Sequence, residues 1–451
     1  MELNYDIDSL NLLIDTRDFK ALRAILAEMN EVDVALFIEE LAPEKKAVCF
    51  RTLPKQMASD VFSEMETETQ QLIISAMTDQ ELSVMVEDLF VDDAVDMLEE
   101  LPANVVKRVL KSATPATRSL INQFLKYPEN SAGSIMTAEF TDLRGTMTVA
   151  EAIAHIRHTG EDRETIYTCY VIDRARLLEG VVTVKDLLLA PDGMRVEDVM
   201  DTDVMSVDTL EDQEEVGRLF SKYGLLSLPV VDHENRLVGI ITVDDAIDVI
   251  EQETTEDFEV MGGMHPSEKP YLKSGILYLA KNRIVWLLVL MISGMVTGHI
   301  LGRFQGAISA MPLLVTFTTM LTGTGGNAGS QSSTLIIRGL ATNEIEMKDL
   351  PAVFWKELRV SLLVGSVLAA VNYIRLIITY PGNEMIALTV ALTMFCVIVT
   401  AKTIGGVLPM LTKAAGADPA LMAAPLLTTI VDAAALIIYF NIALQLLNIS
   451  A

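Results

Sequence analysis

An aspartate lies near the middle of an apolar run close to the C-terminus. The run reads PLLTTIVDAAALIIYF over residues 425–440, and Asp432 is its one charged residue. Thr428 and Thr429 come one helical turn earlier. A carboxylate inside an apolar span is costly and is by default a functional residue. Carboxylate and hydroxyl oxygens without His or Cys suit a hard cation such as Mg2+, which keeps most of its water.

A second polar intrusion, TGTGGNAGSQSS, interrupts another apolar run at residues 322–333. Asn327 and Gln331 offer amide oxygens there, which are expensive in lipid and are tolerated where they line water or are buried in protein. The glycines support a second interpretation, because Gly325 and Gly329 form a GxxxG motif for close helix packing. Packing alone does not require the amide side chains, so Asn327 is a candidate cation ligand together with Thr428 and Asp432.

The number of carboxylates bears on the oligomeric state. One Asp432 per chain cannot neutralise a divalent cation, whereas two copies facing each other across a twofold axis can. The sequence therefore predicts a homodimer with the cation path on its axis.

Apolar runs at about 284–302, 307–337, 360–380, 385–411 and 420–449 are long enough to be five membrane helices. Basic residues collect on one side of these runs, at Lys281 and Arg283, at Arg338 to Arg359, and at Lys413. This bias predicts a cytosolic N-terminal part and a C-terminus outside a cytoplasmic membrane. MELNYDIDSL does not resemble a signal peptide, and three scattered cysteines suit a reducing cytosol.

The part before the membrane runs is strongly acidic. Of the whole chain's 34 basic and 62 acidic residues, the first 270 residues hold 23 and 55. Such a charge argues against nucleic acid and for cations as partners. Leu41, Leu53, Met65, Met77, Leu89 and Leu101 recur every 12 residues, each followed by an apolar pair. Residues 1–128 are therefore predicted to form a solenoid of short helices.

A longer repeat follows the solenoid. IMTAEF (135–140) recurs as VMDTDV (199–204), and YVIDRARLLEGVVTVKDLL (170–188) recurs as PVVDHENRLVGIITVDDAI (229–247). The pattern resembles a tandem pair of α/β CBS domains, here 129–200 and 201–250. Such pairs often bind adenine nucleotides such as ATP, with ribose contacts that would fall on Thr183, Asp186, Thr242 and Asp245. The alternative is that these residues cap the helices that they precede.

The connector to the membrane runs, VDDAIDVIEQETTEDFEVMGG, is crowded with acids. Asp244, Asp248 and Glu251 share one helical face, where like charges weaken a helix unless cations neutralise them. A solvated acidic face is the alternative interpretation.

Together these features resemble the MgtE family of magnesium channels over nearly the whole chain. The motifs GTGGNAGSQSSTLIIRGLA (323–341), VDDAIDVIEQETTED (243–257) and DPALMAAPLLTTIVD (418–432) carry the resemblance. It implies an acidic N domain, a CBS pair, a connecting helix at 251–275 and a five-helix pore domain at 276–451. It also implies a homodimer whose second and fifth spans line the pore, with Asp432 binding hydrated Mg2+. Cytosolic Mg2+ would close the pore by binding to Asp92, Asp93, Asp245, Asp248, Glu251, Glu256, Asp257 and Glu259.

Two other functions are weighed against a channel. An intramembrane enzyme is disfavoured, because the five histidines form no HExxH motif and no GxSxG motif is present. A coupled carrier of Mg2+ or Co2+, regulated by adenine nucleotide at the CBS pair, remains open. Lys402 lies inside the fourth span, where snorkelling to the membrane surface is the ordinary expectation.

Overall fold

The computed structural model describes residues 7–267, 271–272, 274–422 and 424–448, in two compact units, Met1–Ile250 and Glu251–Ala451. Residues 1–6 of the predicted solenoid, residues 268–270 and 273 of the predicted connecting helix, and residues 423 and 449–451 of the predicted pore domain lie outside the described residues.

Short helices fill the first unit as far as Phe124. They are α1 (Ile7–Asp15), α2 (Phe19–Leu26), α3 (Glu31–Glu40), α4 (Pro43–Phe50), α5 (Lys55–Ser63), α6 (Thr67–Ala76), α7 (Asp79–Asp88), α8 (Val91–Glu100), α9 (Ala103–Ser112) and α10 (Pro115–Phe124). From α4 to α10 the helices begin every 12 residues, which follows the predicted repeat. Five of the six apolar pairs are buried, as at Val61 with Phe62 and Ile73 with Ile74, and in the sixth Val109 is buried while Leu110 is half-buried. The predicted all-helical repeat is confirmed.

Two small sheets of the same topology follow. The first copy contains β1 (Phe140–Leu143), α11 (Val149–Thr159), β2 (Thr165–Ile172), β3 (Leu178–Thr183) and α12 (Val184–Leu189). The second contains β4 (Val207–Asp208), α13 (Gln213–Tyr223), β5 (Ser227–Val231), β6 (Leu237–Thr242) and α14 (Val243–Met261). In each sheet the first strand pairs parallel to the second, and the second pairs antiparallel to the third. The predicted α/β pair is confirmed.

The two copies exchange their leading segments. Thr137 in the first segment bridges Ile240 of the second sheet, and Asp201 bridges Val181 of the first sheet. A β-carbon at Gly239 would lie 2.6 Å from the carbonyl oxygen of Thr137, so only glycine leaves room for the backbone of that segment. The leading segment of each copy therefore pairs with the sheet of the other copy, which interlocks the two sheets.

The helix that leaves the second sheet ends earlier than the predicted connecting helix. α14 stops at Met261 and is followed by Gly262 and Gly263. Gly263 has a φ of 69°, a left-handed conformation that is easy for glycine and terminates helices.

The second unit consists of long helices. They are α15 (Ile276–Arg303), α16 (Gln305–Ala310), α17 (Val315–Ala341), α18 (Leu350–Thr379), α19 (Glu384–Ala414) and α20 (Ala424–Leu446). Within the described residues, four stretches are long and apolar enough to cross a bilayer: Ile276–Arg303, Met347–Thr379, Glu384–Ala414 and Pro419–Leu446. α17 is not among them, although its 27 residues are about 40 Å long at 1.5 Å per residue. Its polar segment lowers its mean hydropathy, so composition supports four spans where five are predicted.

α17 packs against both α19 and α20. It runs through the glycine-rich segment without a break. A β-carbon at Gly325 would lie 2.6 Å from Val397 and 2.9 Å from Val431, and one at Gly329 would lie 3.1 Å from the Ala401 carbonyl oxygen. The predicted close helix packing at these two glycines is therefore present.

Candidate functional site

One side of α17 is exposed, and most of its exposed residues are polar, with Val315 and Leu335 as its exposed apolar members. The stripe consists of Thr316, Thr319, Gly323, Asn327, Gln331, Thr334 and Arg338. These positions follow one another at three- and four-residue intervals, which places them on one face of a helix. On α18, by contrast, the exposed side chains of Leu363, Val367 and Val371 are apolar. We call the seven residues the polar stripe of α17.

The predicted cation ligands lie on adjacent helices. A β-carbon at Gly326 would lie 3.0 Å from Thr428 Cγ2, so α17 and α20 touch at that level. Asn327 follows Gly326 directly, and Asp432 comes one turn after Thr428 and is half-buried. The hydroxyl of Thr428 donates to the carbonyl oxygen of Pro425 at 2.9 Å. Tyr439 ties the other end of α20 to the start of α17 by a 2.9 Å hydrogen bond to the carbonyl oxygen of Leu314.

Four carboxylates of the first unit form a second feature, which we call the acidic cluster. They are Asp92 and Asp93 in the first turn of α8, Asp245 in the first turn of α14, and Glu164 just before β2. Burial raises the pKa of Asp93 to about 7, and the neighbouring Asp245 adds to the shift. Burial also raises the pKa of Glu164 to about 8, again with Asp245 and Asp93 contributing.

The pKa values of the other two members, Asp92 and Asp245, are raised as well. Burial and the charge of Asp93 raise the pKa of Asp92 well above its ordinary value. Burial raises the pKa of Asp245 to about 6, although a 2.5 Å hydrogen bond from Thr242 opposes the shift. Asp92 Oδ1 is buried and accepts no hydrogen bond within the described chain. Among the described residues no basic side chain offsets these four charges, and like charges held together in this way favour a proton or a cation.

No set of three His, Cys, Asp or Glu side chains among the described residues is arranged to hold a metal ion directly. The cluster therefore offers charge and oxygen atoms rather than a closed cage. Such a surface suits an ion that retains its water, as Mg2+ usually does.

Sequence reasoning identified Asp92, Asp93 and Asp245 but missed Glu164. Its only sequence signal is the longer loop HTGEDRETIYT of the first CBS copy. Asp248 is exposed on α14, and together with burial its charge raises the pKa of Glu64 on the neighbouring solenoid. The structure thus extends the predicted acidic surface to residues that no local pattern singles out.

The remaining predicted sensor residues belong to the second unit. They lie on the last part of α14 and are Glu251, Glu256, Asp257 and Glu259. Glu259 Oε2 accepts a 2.6 Å hydrogen bond from the backbone N–H of Ser267. Glu251 and Glu256 are exposed.

The predicted nucleotide residues form helix caps. Thr183 and Asp186 make a reciprocal capping box at the start of α12, and Thr242 donates to Asp245 at the start of α14. Between the two sheets, the hydroxyl of the buried Tyr170 is 2.7 Å from Ser227 Oγ. The capping alternative is therefore observed, and ribose binding by the same carboxylates stays a prediction.

Family comparisons cover most of the chain. Residues 14–130 match the MgtE intracellular N domain, residues 132–193 and 196–252 match CBS domains, and residues 318–442 match the family described as MgtE, divalent cation transporter.

Individual relatives match over nearly their full length. The chain is 37% identical to the magnesium transporter MgtE of Thermus thermophilus and 32% identical to that of Bacillus subtilis, over 98% of both chains in each case. Among solved structures, the soluble part of a magnesium transporter is 28% identical, with a TM-score of 0.53, and covers 56% of this chain and 99% of its own. The cytosolic domain of the Mg2+ channel MgtE in complex with ATP is 38% identical, with a TM-score of 0.51, and covers 54% and 100%.

Proposed function

Since the chain belongs to the MgtE family of divalent cation transporters, we propose that it is a channel that imports Mg2+ across the cytoplasmic membrane. The path follows the polar stripe of α17 and passes Asp432 on α20. The first unit lies in the cytosol, and the C-terminus lies outside.

The polar stripe supports this proposal most directly. Asn327, Gln331 and their neighbours are exposed on a long helix whose companions expose aliphatic side chains. In a bilayer, amide groups and a guanidinium do not face hydrocarbon, because each unsatisfied polar group there costs several kcal/mol. This side of α17 must face water or another polar surface, and a water-filled path meets the requirement.

The number of carboxylates along the proposed path supports a homodimer. Asp432 supplies one carboxylate, and the described residues of α17 include no acid. Two Asp432 side chains from a homodimer would balance one divalent ion, while Asn327 and Thr428 offer oxygen atoms to its water shell. Hydrated Mg2+ is a suitable occupant because this ion gives up its water reluctantly.

Regulation is assigned to the acidic cluster and to the acids of α14. With no cation bound, Asp92, Asp93, Asp245 and Glu164 repel one another, by about 1 kcal/mol per pair at 4 Å in water and more where solvent is excluded. Cytosolic Mg2+ would turn this repulsion into attraction and favour a compact, closed state. The predicted residues Asp248, Glu251, Glu256, Asp257 and Glu259 extend the sensor along α14. A ligand closes the channel only to the extent that it binds the closed state more tightly.

ATP at the CBS pair is a second proposed ligand. A related cytosolic domain was crystallised with ATP, and the segment GVVTVKDLL of the first copy corresponds to GIITVDDAI of the second. The carboxylate of Asp186 is placed at a helix N-terminus, where it could accept hydrogen bonds from ribose hydroxyls.

Asp432→Asn tests the path. In proteoliposomes loaded with a Mg2+-sensitive dye, we expect the substitution to reduce Mg2+ uptake about tenfold or more, because the charge that compensates the cation is lost. Glu344→Gln removes an exposed carboxylate outside the long helices and should leave uptake unchanged. Full uptake by the Asp432→Asn protein at equal reconstitution would reject the pathway.

A recording distinguishes the channel from the coupled carrier. Patches with Mg2+ varied separately on each side should show unitary Mg2+ currents that persist without a Na+ or H+ gradient. Saturable flux that stops when either gradient is removed would instead support the carrier.

A further inference from the structure

Three buried polar side chains meet inside the second unit, on three different helices. They are Ser332 on α17, Glu357 on α18 and Lys402 on α19, with exposed fractions of 1%, 9% and 6%. The snorkelling expected for Lys402 is therefore wrong, because its side chain stays inside the protein. Charged groups at such positions are rare, and they are retained when they are paired and serve a purpose.

A hydrogen-bond chain connects the three side chains. Ser332 Oγ donates to Glu357 Oε2 at 2.6 Å and accepts from Lys402 Nζ at 3.3 Å. A hydroxyl has one proton and two lone pairs, so it can bridge an ammonium and a carboxylate in this order. Removing one charge would leave the other buried without compensation, which is far costlier than removing both.

The chain lies beside the closest approach of two helix backbones. A β-carbon at Gly405 of α19 would overlap the carbonyl oxygen of Gly329 on α17, and one at Gly406 would lie 2.8 Å from Glu357 Cγ. At Gly405 and Gly329 the two helices meet through their backbones rather than through interlocking side chains. The hydrogen bonds through Ser332 are directional, and they define one rotation of α17.

That rotation determines which side of α17 is exposed. Ser332 comes five residues after Asn327, and at 3.6 residues per turn it lies about 140° around the helix from it. We propose that Glu357 and Lys402 are positioning residues that act through Ser332 to hold Asn327 and Gln331 on the exposed side. The proposal rests on the proposed function for the role of that side and adds the residues that orient it.

Thiol accessibility measures the rotation directly. In a background without Cys49, Cys169 and Cys396, reporters are placed by Asn327→Cys, which is exposed, or Ala328→Cys, which is 7% exposed. A small water-soluble thiol reagent should modify the first reporter about tenfold faster than the second, because burial hides the neighbouring position. We call the ratio of the two rates the accessibility ratio.

Single changes should collapse this ratio. With Lys402→Met or Glu357→Gln we expect it to fall about tenfold, towards equal rates, since an uncompensated buried charge favours any rearrangement that reaches water. The double variant Glu357→Gln/Lys402→Met removes both charges and should restore most of the ratio. A loss of packing alone would not be rescued by a second change.

Serine variants keep the test decisive if a single-charge variant fails to fold. Ser332→Ala breaks the chain and should lower the ratio, whereas Ser332→Thr keeps a hydroxyl and should preserve it. Ser361→Ala is the matched control, because Ser361 is fully buried on α18 and its hydroxyl donates within its own helix, to Leu358 at 2.7 Å. It should leave the ratio unchanged.

The outcomes separate the two proposals. If the Asn327→Cys reporter does not react in the otherwise unchanged background, the polar stripe does not face water and the proposed pathway fails. If it reacts there, and the charge variants and Ser332→Ala leave the accessibility ratio unchanged, the positioning role is overturned while the pathway stands.

Discussion

The acidic cluster gives the first unit a pH dependence whose sign and size follow from the structure. Burial raises the pKa of Asp93 to about 7 and that of Asp245 to about 6, whereas an aspartate in an unfolded chain has a pKa near 3.9. Between about pH 4 and pH 7 the folded state therefore holds more protons than the unfolded state. Its free energy of unfolding must fall as the pH rises through that window.

The size of the effect is large for a single group. A shift of about three pKa units at Asp93 corresponds to about 4 kcal/mol, at about 1.4 kcal/mol per unit, and Asp245 alone to about 3 kcal/mol. The two carboxylates interact, so their joint effect is smaller than the sum. Without Mg2+, we expect the wild-type unit to be about 3 kcal/mol more stable near pH 5.5 than near pH 8.

Asp93→Asn removes one of the half-buried charges and nearly preserves the side-chain volume. Near pH 8 without Mg2+ it should raise the free energy of unfolding by about 2 kcal/mol or more, and it should flatten the pH dependence. Asp192→Asn, at an exposed loop position, is the matched control and should change stability by less than about 0.5 kcal/mol.

Urea unfolding of residues 1–262, followed by circular dichroism, measures these differences. The fragment keeps α14 whole, and the soluble part of a related transporter has been crystallised by itself. Millimolar Mg2+ should stabilise the wild-type fragment near pH 8 and have less effect near pH 5.5, where protons already neutralise the carboxylates. Its effect should also be smaller in the Asp93→Asn fragment.

Two results would refute this reasoning. A wild-type fragment that is at least as stable near pH 8 as near pH 5.5, without Mg2+, would show that the buried carboxylates do not repel one another. An unchanged response to Mg2+ in the Asp93→Asn fragment would show that the cation binds elsewhere.

Two further predictions concern packing and nucleotide binding. Gly405→Ala should destabilise the detergent-purified protein by about 1–3 kcal/mol, because the new methyl group meets the carbonyl oxygen of Gly329. Its thermal midpoint should fall below that of Gly298→Ala, a position with open space around it. Asp186→Asn should weaken ATP binding about tenfold in calorimetry while changing the fragment's unfolding midpoint little, since Asn also caps helices. Unchanged ATP affinity would assign Asp186 to capping alone.

The solenoid and the paired sheets were predictable because their signals are local. Each 12-residue unit carries its own apolar pair, and both members are buried in most units, as at Met85 with Val86. A repeat of this kind predicts which residues are buried. Because short units stack on one another, each apolar pair packs against the neighbouring units. The exchange of leading segments between the CBS copies lacks such a signal, because it depends on which sheet Met136 and Met200 meet.

The charged networks were harder to predict for the same reason. Glu164 joins Asp92, Asp93 and Asp245 only when β2 and the solenoid are assembled. The hydrogen-bond chain of Lys402 involves residues on two other helices. Glu357 lies 45 residues away in sequence, and Ser332 lies 70 residues away. Sequence spacing reports neighbours on one helix face, so interactions between distant elements leave no trace in it.

α17 shows how one segment satisfies two interpretations that the sequence left side by side. Its glycines, Gly325 and Gly329, face inward, where close packing against α19 and α20 requires them. Its amides, Asn327 and Gln331, occupy the opposite, exposed side. A helix with only the first feature would be an ordinary packed span, and one with only the second would not be held in the unit. The polar residues on this exposed side lower the mean hydropathy of α17, which is why the helix is not among the apolar spans. They lie on the side along which we place the ion path.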